Sequence, residues 1–425
     1  MNVAIIGGGG REHALGWGVR KSPLCDAIFF LPGNAGTAKI GVNTDIDSTD
    51  HQKVFEFCTE KKVELVIVGP EIPLVEGLSD FLRNKNIAVF GPSQKASLIE
   101  ADKIYAKEVM QRAGVLTAKY NQYQRDELTE AIDFADSIGY PVVIKANGLA
   151  AGKGVSICDN KVEVEKILTE IFQKNIFGRS GDKVLIEEFL IGDEASIFAI
   201  TDGFNFVTLP AAQDHKRIGD GDTGKNTGGM GAYAPTGLIT EALLQEIKSS
   251  IIKPVLNQIE SENNPFSGCL YCGLIITEEG PKVIEFNCRF GDPETQVVVP
   301  LLDGDFLKLL FTAASGNLDI DAVSYNGGSA VTVIAASDGY PDTYEKGFEI
   351  TLPDVETESS IVFHSGTKYL DDKIVTNGGR VLSVTSVNES NNLDATIQNA
   401  YSLMNKINFE NIYFRKDIGK KGLKY

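Results

Sequence analysis

The sequence predicts an α/β protein of several units that opens with a parallel, doubly wound sheet. Three observations predict it. Apolar runs at residues 3–6, 27–31, 63–68 and 87–90 each end in glycine or proline, as buried parallel strands do where they run into loops. Helical patterns at 53–61 and 74–84 alternate with the later runs, the order expected of strand–helix–strand units. The chain has 425 residues, more than one core usually organises, so about two to four domains are expected.

A hydrophobic content of 43% with 23% charged residues describes an ordinary globular chain. Its 58 acidic and 40 basic residues give a formal charge of −18, so no bulk attraction to nucleic acid or an anionic membrane is expected. An anionic small ligand would need local cations or backbone N–H groups. Residues 1–7 read as a strand and lack the basic start of a signal peptide. No apolar run is long enough to span a bilayer. The expectation is a cytoplasmic protein, and a monomer, since no heptad or apolar stripe stands out. Cys269 and Cys272 have no second pair to complete a zinc site, so free thiols are expected.

Taken in order, the first strand runs into Gly7-Gly8-Gly9-Gly10-Arg11-Glu12-His13 and then a helix. A glycine turn ahead of a helix presents N–H groups to an anion. A dinucleotide fingerprint would need glycine or alanine where Glu12 or His13 stands, and an acid after the second strand, where Pro32 to Gly36 lie. Nicotinamide binding is therefore not expected. The other strand ends, 32–36, 69–71 and 91–93, are also rich in glycine and proline, and ligands of parallel sheets collect at such ends.

From 95 to 112, Leu98, Ala101, Tyr105 and Val109 fit one helix face that also carries Lys103, with Gly114 as the stop. A second unit follows: a helix at 127–138, then a strand at 142–146 carrying Lys145. The stretch Gly148-Leu149-Ala150-Ala151-Gly152-Lys153-Gly154 superficially resembles a Walker loop. It fails on spacing, on Gly154 after the lysine, and on the strand that follows. It reads as a strand–loop–strand hairpin whose Lys153 either covers phosphates or is solvated. A buried Lys145 calls for a paired anion. Further on, the run 183–190 can offer backbone groups at Glu187, Glu188, Phe189 and Leu190 to an adenine edge, with Glu194 near ribose hydroxyls. An edge strand with solvated acids fits the same pattern.

The last informative stretch is Lys282 to Gln296. A strand there pairs with residues 269–276 through a turn at 278–281. Alternation places Glu285 and Asn287 on one face and Ile284, Phe286 and Cys288 on the other. A carboxylate and an amide carbonyl side by side suit a hard, oxygen-liganded cation.

In their order and spacing, Lys103, residues 142–146, the loop 148–155, Glu187 to Leu190 with Glu194, and residues 284–294 resemble the ATP-grasp ligases. The glycine start, residues 213–217 with 226–233, and Asn287-Cys288-Arg289-Phe290-Gly291-Asp292-Pro293-Glu294-Thr295-Gln296 resemble the phosphoribosylamine–glycine ligases among them. The resemblance spans nearly the whole chain. It implies an ATP-grasp fold with an N-terminal doubly wound domain (1–100), an ATP-grasp region (101–322, with a lid at about 117–190) and a small C-terminal mixed β/α domain (323–425). With no module after Tyr425, a monofunctional form is expected.

The implied reaction is ATP-dependent joining of glycine to 5-phosphoribosylamine through glycyl phosphate, a step of purine biosynthesis. Glu285 and Asn287 would hold Mg2+, or Mn2+ in its place. Lys103, Lys145 and Lys153 would neutralise phosphate charge, and Glu187 to Leu190 with Glu194 would hold adenosine. Arg289 would meet the glycine carboxylate or the transferring phosphoryl group. Asp214, Lys216, Asn226, Gly228, Gly229 and Met230 would line the substrate side. Gly8, Gly9, Gly10, Asn34, Gly36, Pro70 and Glu71 would receive phosphoribosylamine. Asp214 and Asp292 are the candidates for a general base, although a free amine can react without one. Asp292, Glu294, water or phosphate oxygens would complete the metal shell.

Overall fold

Side-chain pattern and turn chemistry divide the chain into four larger sheets, three two-stranded ones and their helices, in a computed structural model that describes residues 1–150, 154–353 and 357–425. The first sheet is parallel, in the order Val42–Asn43, Ala27–Pro32, Asn2–Gly7, Val63–Val68, Ala88–Phe90. Chain order reverses between Asn2–Gly7 and Val63–Val68, so the ends Gly7 and Val68 flank the switch point where such sheets bind ligands. The expected helix at 74–84 is two, Glu71–Val75 and Leu78–Arg83, separated by Gly77 at φ +89°, a conformation glycine tolerates best.

The expected helix at 95–112 is also two. Leu98–Ala101 ends at Asp102, whose extended backbone and side chain, accepting from Tyr105 N at 2.9 Å, start Lys103–Ala113. A capping aspartate thus overrides the continuous apolar period. It sets Lys103 on a helix N-terminus and buries Ala106, Lys107, Val109 and Met110.

The second unit is an antiparallel sheet, Tyr120–Gln124, Lys183–Glu188, Val142–Ala146, Val155–Cys158. Helices Leu128–Ile138 and Lys161–Phe172 cover it through Ala131, Ala135, Val164 and Leu168. Val142–Ala146 and Val155–Cys158 form the anticipated hairpin, with Lys145 opposite Val155. Lys153 lies outside the described residues.

The third sheet runs Phe206–Thr208, Asp193–Asp202, Ser267–Thr277, Gly280–Asn287. Its last hairpin corrects the expected alternation. Gly273 pairs Glu285 but Leu274 pairs Val283, leaving Ile284 as the extra residue of a bulge. Val283 and Phe286 are therefore the buried pair, not Ile284 and Phe286. Glu285 and Asn287 still share a face. Gly273 makes room for the former: a Cβ there would lie 3.2 Å from Glu285 Cγ.

The fourth sheet, Gln213–Asp214, Gly231–Ala234, Ser329–Ser337, Arg380–Asn388, Ser360–His364, draws its first two strands from the middle of the chain. Helix Leu393–Met404 packs on it through Ile397, Ala400, Leu403 and Met404. The C-terminal segment is thereby hydrogen-bonded into the region that carries the site. No helix among the described residues is long and apolar enough to cross a membrane, and all six cysteines are free thiols.

Candidate active site

Three groups of charged side chains meet around the strand Gly280–Asn287. In the first, Glu187 lies between two lysines. Lys145 Nζ is 2.9 Å from one carboxylate oxygen and Lys107 Nζ 3.1 Å from the other. Lys145 also donates to the bulged Ile284 carbonyl at 3.2 Å, which shows what the bulge does: it turns a main-chain oxygen toward the lysine. Lys103 Nζ donates to Gly148 O at 3.0 Å. Burial lowers the Lys103 ammonium below its usual value, with Glu285 opposing. Glu187 is thus a buried hub of charge. Glu188 ties to the Lys119 N–H at 2.9 Å, while Phe189 and Leu190 follow the strand end, partly exposed.

In the second group, Lys216 Nζ is 2.6 Å from Glu194 Oε2. Burial alone would lower Lys216, but Asp214 and Glu194 hold it well above its usual value. Asp214 goes the other way: burial, with Glu294, Glu194 and Glu285 nearby, pushes it up to about 7 against the pull of Lys216. A carboxylate near neutrality is what a proton acceptor at physiological pH requires. Glu294 accepts from Ser196 Oγ at 3.1 Å, and Ser196 Oγ is 2.9 Å from Tyr271 Oη.

The third group surrounds the switch point. Glu12 accepts from Gly9 N–H at 2.6 Å and from Arg11 Nε at 2.6 Å. A Cβ on Gly69 would fall 2.0 Å from Glu12 Oε1, so both glycine loops close on that carboxylate. Arg289 Nη2 is 2.9 Å from Glu100, Nε is 3.4 Å from Glu71, and Nη1 donates to Phe290 O at 3.2 Å. Asp292 is 3.0 Å from Arg380 Nη2 and accepts from Gln296 Nε2 at 2.7 Å. Arg380 also donates to Asp292 O at 2.8 Å and to Gly228 O.

Several expected site residues are engaged with other groups in this geometry. Arg289 bonds Glu100 through Nη2, while its Nε lies 3.4 Å from Glu71 without a hydrogen bond. Asp292 sits in an ion pair: burial would raise it, but Arg380 and Arg11 hold it below the usual carboxylate value, which makes it a weaker proton acceptor than Asp214. Asn34 holds loops together, donating to Gly8 O at 2.9 Å and His364 O at 2.8 Å and accepting from Gly36 and Thr37 N–H. Met230 is fully buried in the C-terminal core. Gly229, at φ +107°, abuts Pro293, and Asn226 pairs with Arg217 in the hairpin that leads to it. Gly10 packs against Gln296 and Ser365, Gly36 against His13 and His364. Pro70 caps the helix that begins at Glu71.

Sequence reasoning passed over Lys107, Glu12 and Arg380. Lys107 stands one helical turn from Lys103, and Glu12 stands three residues after the cap Gly9, a capping-box position. Those spacings were available as signals. Nothing local marked Arg380.

Among the described residues no cluster of three or more acidic, histidine or cysteine side chains could hold a metal alone. Glu285 and Asn287 nonetheless fit Mg2+, which takes one or two protein oxygens and fills its shell with water and phosphate. Both face one way on a strand, and among the described residues neither side chain has a hydrogen-bond or ion-pair partner, unlike Glu71, Glu100, Glu187, Glu194 and Asp292.

Comparison with known proteins gives the family. The chain matches the phosphoribosylglycinamide synthetase family in its N domain over residues 1–100, its ATP-grasp (A) domain over 101–295 and its C domain over 330–421. It is 44% identical to the phosphoribosylamine–glycine ligase of Caldanaerobacter subterraneus subsp. tengcongensis, covering 98% of this chain and 99% of that one. The crystal structure of phosphoribosylamine–glycine ligase from Thermotoga maritima superposes with a TM-score of 0.84 at 37% identity, over 98% of this chain and 100% of that one. The biotin carboxylase domain of Hydrogenobacter thermophilus 2-oxoglutarate carboxylase, solved with MgADP, shares the fold at TM-score 0.72 and 18% identity, over 97% and 91% of the two chains. By family match, full-length identity and fold, this chain belongs to the phosphoribosylamine–glycine ligases (phosphoribosylglycinamide synthetases), ligases built on an ATP-grasp domain.

Proposed function

We propose that this chain joins glycine to 5-phosphoribosylamine at the expense of ATP, giving glycinamide ribonucleotide, ADP and phosphate. The observation that carries the reading is the pair Glu285 and Asn287, oxygens without a partner among the described residues, beside Lys103 and the Lys145–Glu187 pair, in a chain whose full-length relatives bear that activity in their names.

A carboxylate resists attack because its charge is delocalised and oxide leaves poorly. A glycine carboxylate oxygen bonds to the γ-phosphorus as the bond to ADP breaks. The ribosylamine nitrogen then adds to the acyl carbon, phosphate departs with that oxygen, and the nitrogen loses a proton. The first half gathers anionic oxygens, so catalysis rests on positioning and charge neutralisation. Lys103 and Lys145 would supply positive charge, with Lys153 a third candidate. Glu285 and Asn287 would hold Mg2+, with Mn2+ as a substitute, and the cation would neutralise phosphate charge.

The strand end at Glu187 to Leu190 would receive adenine, and Glu194, held by Lys216, the ribose. Asp214 would accept the proton of the amine. Phosphoribosylamine would bind at the switch point, between the Gly8 to Gly10 turn, Gly36, Pro70, Glu71 and the Gly228–Gly229 loop. Asn34, Arg289 and Arg380 position those loops. The test is ADP release with glycine or the ribosylamine omitted in turn. Release needing both supports the reading, and release indifferent to glycine rejects it.

A further inference from the structure

The Lys107–Glu187–Lys145 cluster holds two ammonium groups on one carboxylate, and all three residues are almost wholly buried, at 3%, 3% and 5% exposure. The contacts close a ring. Lys107 Nζ donates to Thr117 Oγ1 at 2.7 Å, and Thr117 Oγ1 donates to Val283 O at 2.7 Å. One residue further, the Ile284 carbonyl accepts from Lys145. The ring joins helix Lys103–Ala113, the sheet carrying Lys145 and Glu187, and the strand carrying Glu285 and Asn287. Its charge does not balance: a buried carboxylate needs one cation and has two.

We propose that Lys107 is a positioning residue that keeps Glu187 neutralised so that Lys145 can turn from Glu187 to a phosphate of the bound nucleotide. With Lys107 in place, Lys145 leaves no unpaired carboxylate behind. Without it, nucleotide binding must strip Glu187 of its last counter-charge, and an uncompensated buried charge is strongly unfavourable. The roles divide by anchorage. Lys107 is held on its far side by Thr117 and lies 5.0 Å from the Tyr120 ring centroid. Among the described residues, Lys145 rests on a single main-chain carbonyl besides Glu187.

This rests on the proposed role of Lys145 as a phosphate ligand, and calorimetric titration of the full chain with MgADP separates the two. Lys145→Met should weaken MgADP binding; unchanged affinity would remove the Lys145 role itself. Given that loss, Lys107→Met should weaken binding about tenfold or more, while Lys107→Arg, which keeps the charge, should stay within about threefold. In the Glu187→Gln background, where the charge it balances is gone, Lys107→Met should change MgADP affinity by no more than about threefold. Both chains of that comparison lack the buried carboxylate, so it does not require Lys107→Met alone to fold. A purely structural Lys107 makes the losses add in the double variant. That additivity, or unchanged binding in Lys107→Met, overturns the proposal.

Discussion

Replacing Asp292 separates a structural latch from a reacting group. Its carboxylate joins Arg380 at 3.0 Å and Gln296 at 2.7 Å, and the two ion-pair partners are 13% and 20% exposed. Removing one member of a fully buried pair costs about 3–5 kcal/mol. Partial solvent access lowers this, so Asp292→Asn should lose about 2–3 kcal/mol of stability. Arg380→Met should lose a similar amount, since it also gives up its bonds to Asp292 O and Gly228 O. The double variant should lose less than the sum, by about 1–2 kcal/mol, because the residues contact directly. Urea unfolding measures all three, with an unchanged slope expected. In steady state, Asp292→Asn should keep kcat within about tenfold and act mainly on KM for the ribosylamine, through the Gly228–Gly229 loop. A general base would instead contribute about 10²–10⁴-fold. A hundredfold fall in kcat with stability intact would refute the latch.

Three other outcomes follow from the same geometry. Asp214, pushed up to about 7 by burial and neighbouring carboxylates, should give kcat/KM an acid limb near that pH, and Asp214→Asn should abolish the limb. An acid raised by folding destabilises the protein once pH exceeds its unfolded value, so Asp214→Asn should also unfold at higher urea than the parent at pH 8. His13, His215 and His364 are held neutral by burial, His215 at about 4 and His364 at about 3. The unfolded chain binds their protons below about pH 6.5, so stability should fall as pH drops from there toward 4, by at most about 1.4 kcal/mol per unit for each histidine; urea midpoints against pH check this. Finally, a Cβ on Gly8 would stand 2.4 Å from the Gly33 carbonyl oxygen, so Gly8→Ala must push the two glycine loops apart and should raise KM for the ribosylamine far more than KM for ATP in steady-state kinetics.

What the sequence made legible was mostly local. Strands running into glycine revealed the parallel sheet, and alternation put Glu285 and Asn287 on one face. Its failures were also local rules overridden by their surroundings. Asp102 caps a helix inside an unbroken apolar period, and the bulge at Ile284 shifts which residues face the core. The roles of Arg289, Asn34 and Asp292 depend on partners far along the chain, Glu100, His364 and Arg380. A single sequence carries no sign of such pairings. Lys107 escaped for another reason. A lysine on a helix reads as solvated until its neighbours are known, and here they are Glu187, Thr117 and the Tyr120 ring.

The central claim is that the glycine carboxylate is activated by phosphorylation before the amine attacks. Glycine labelled with 18O in its carboxylate, turned over with ATP and phosphoribosylamine, tests it directly by mass spectrometry of the released phosphate. The account predicts one labelled oxygen transferred to phosphate for each amide formed. Unlabelled phosphate accompanying full conversion to glycinamide ribonucleotide would contradict it.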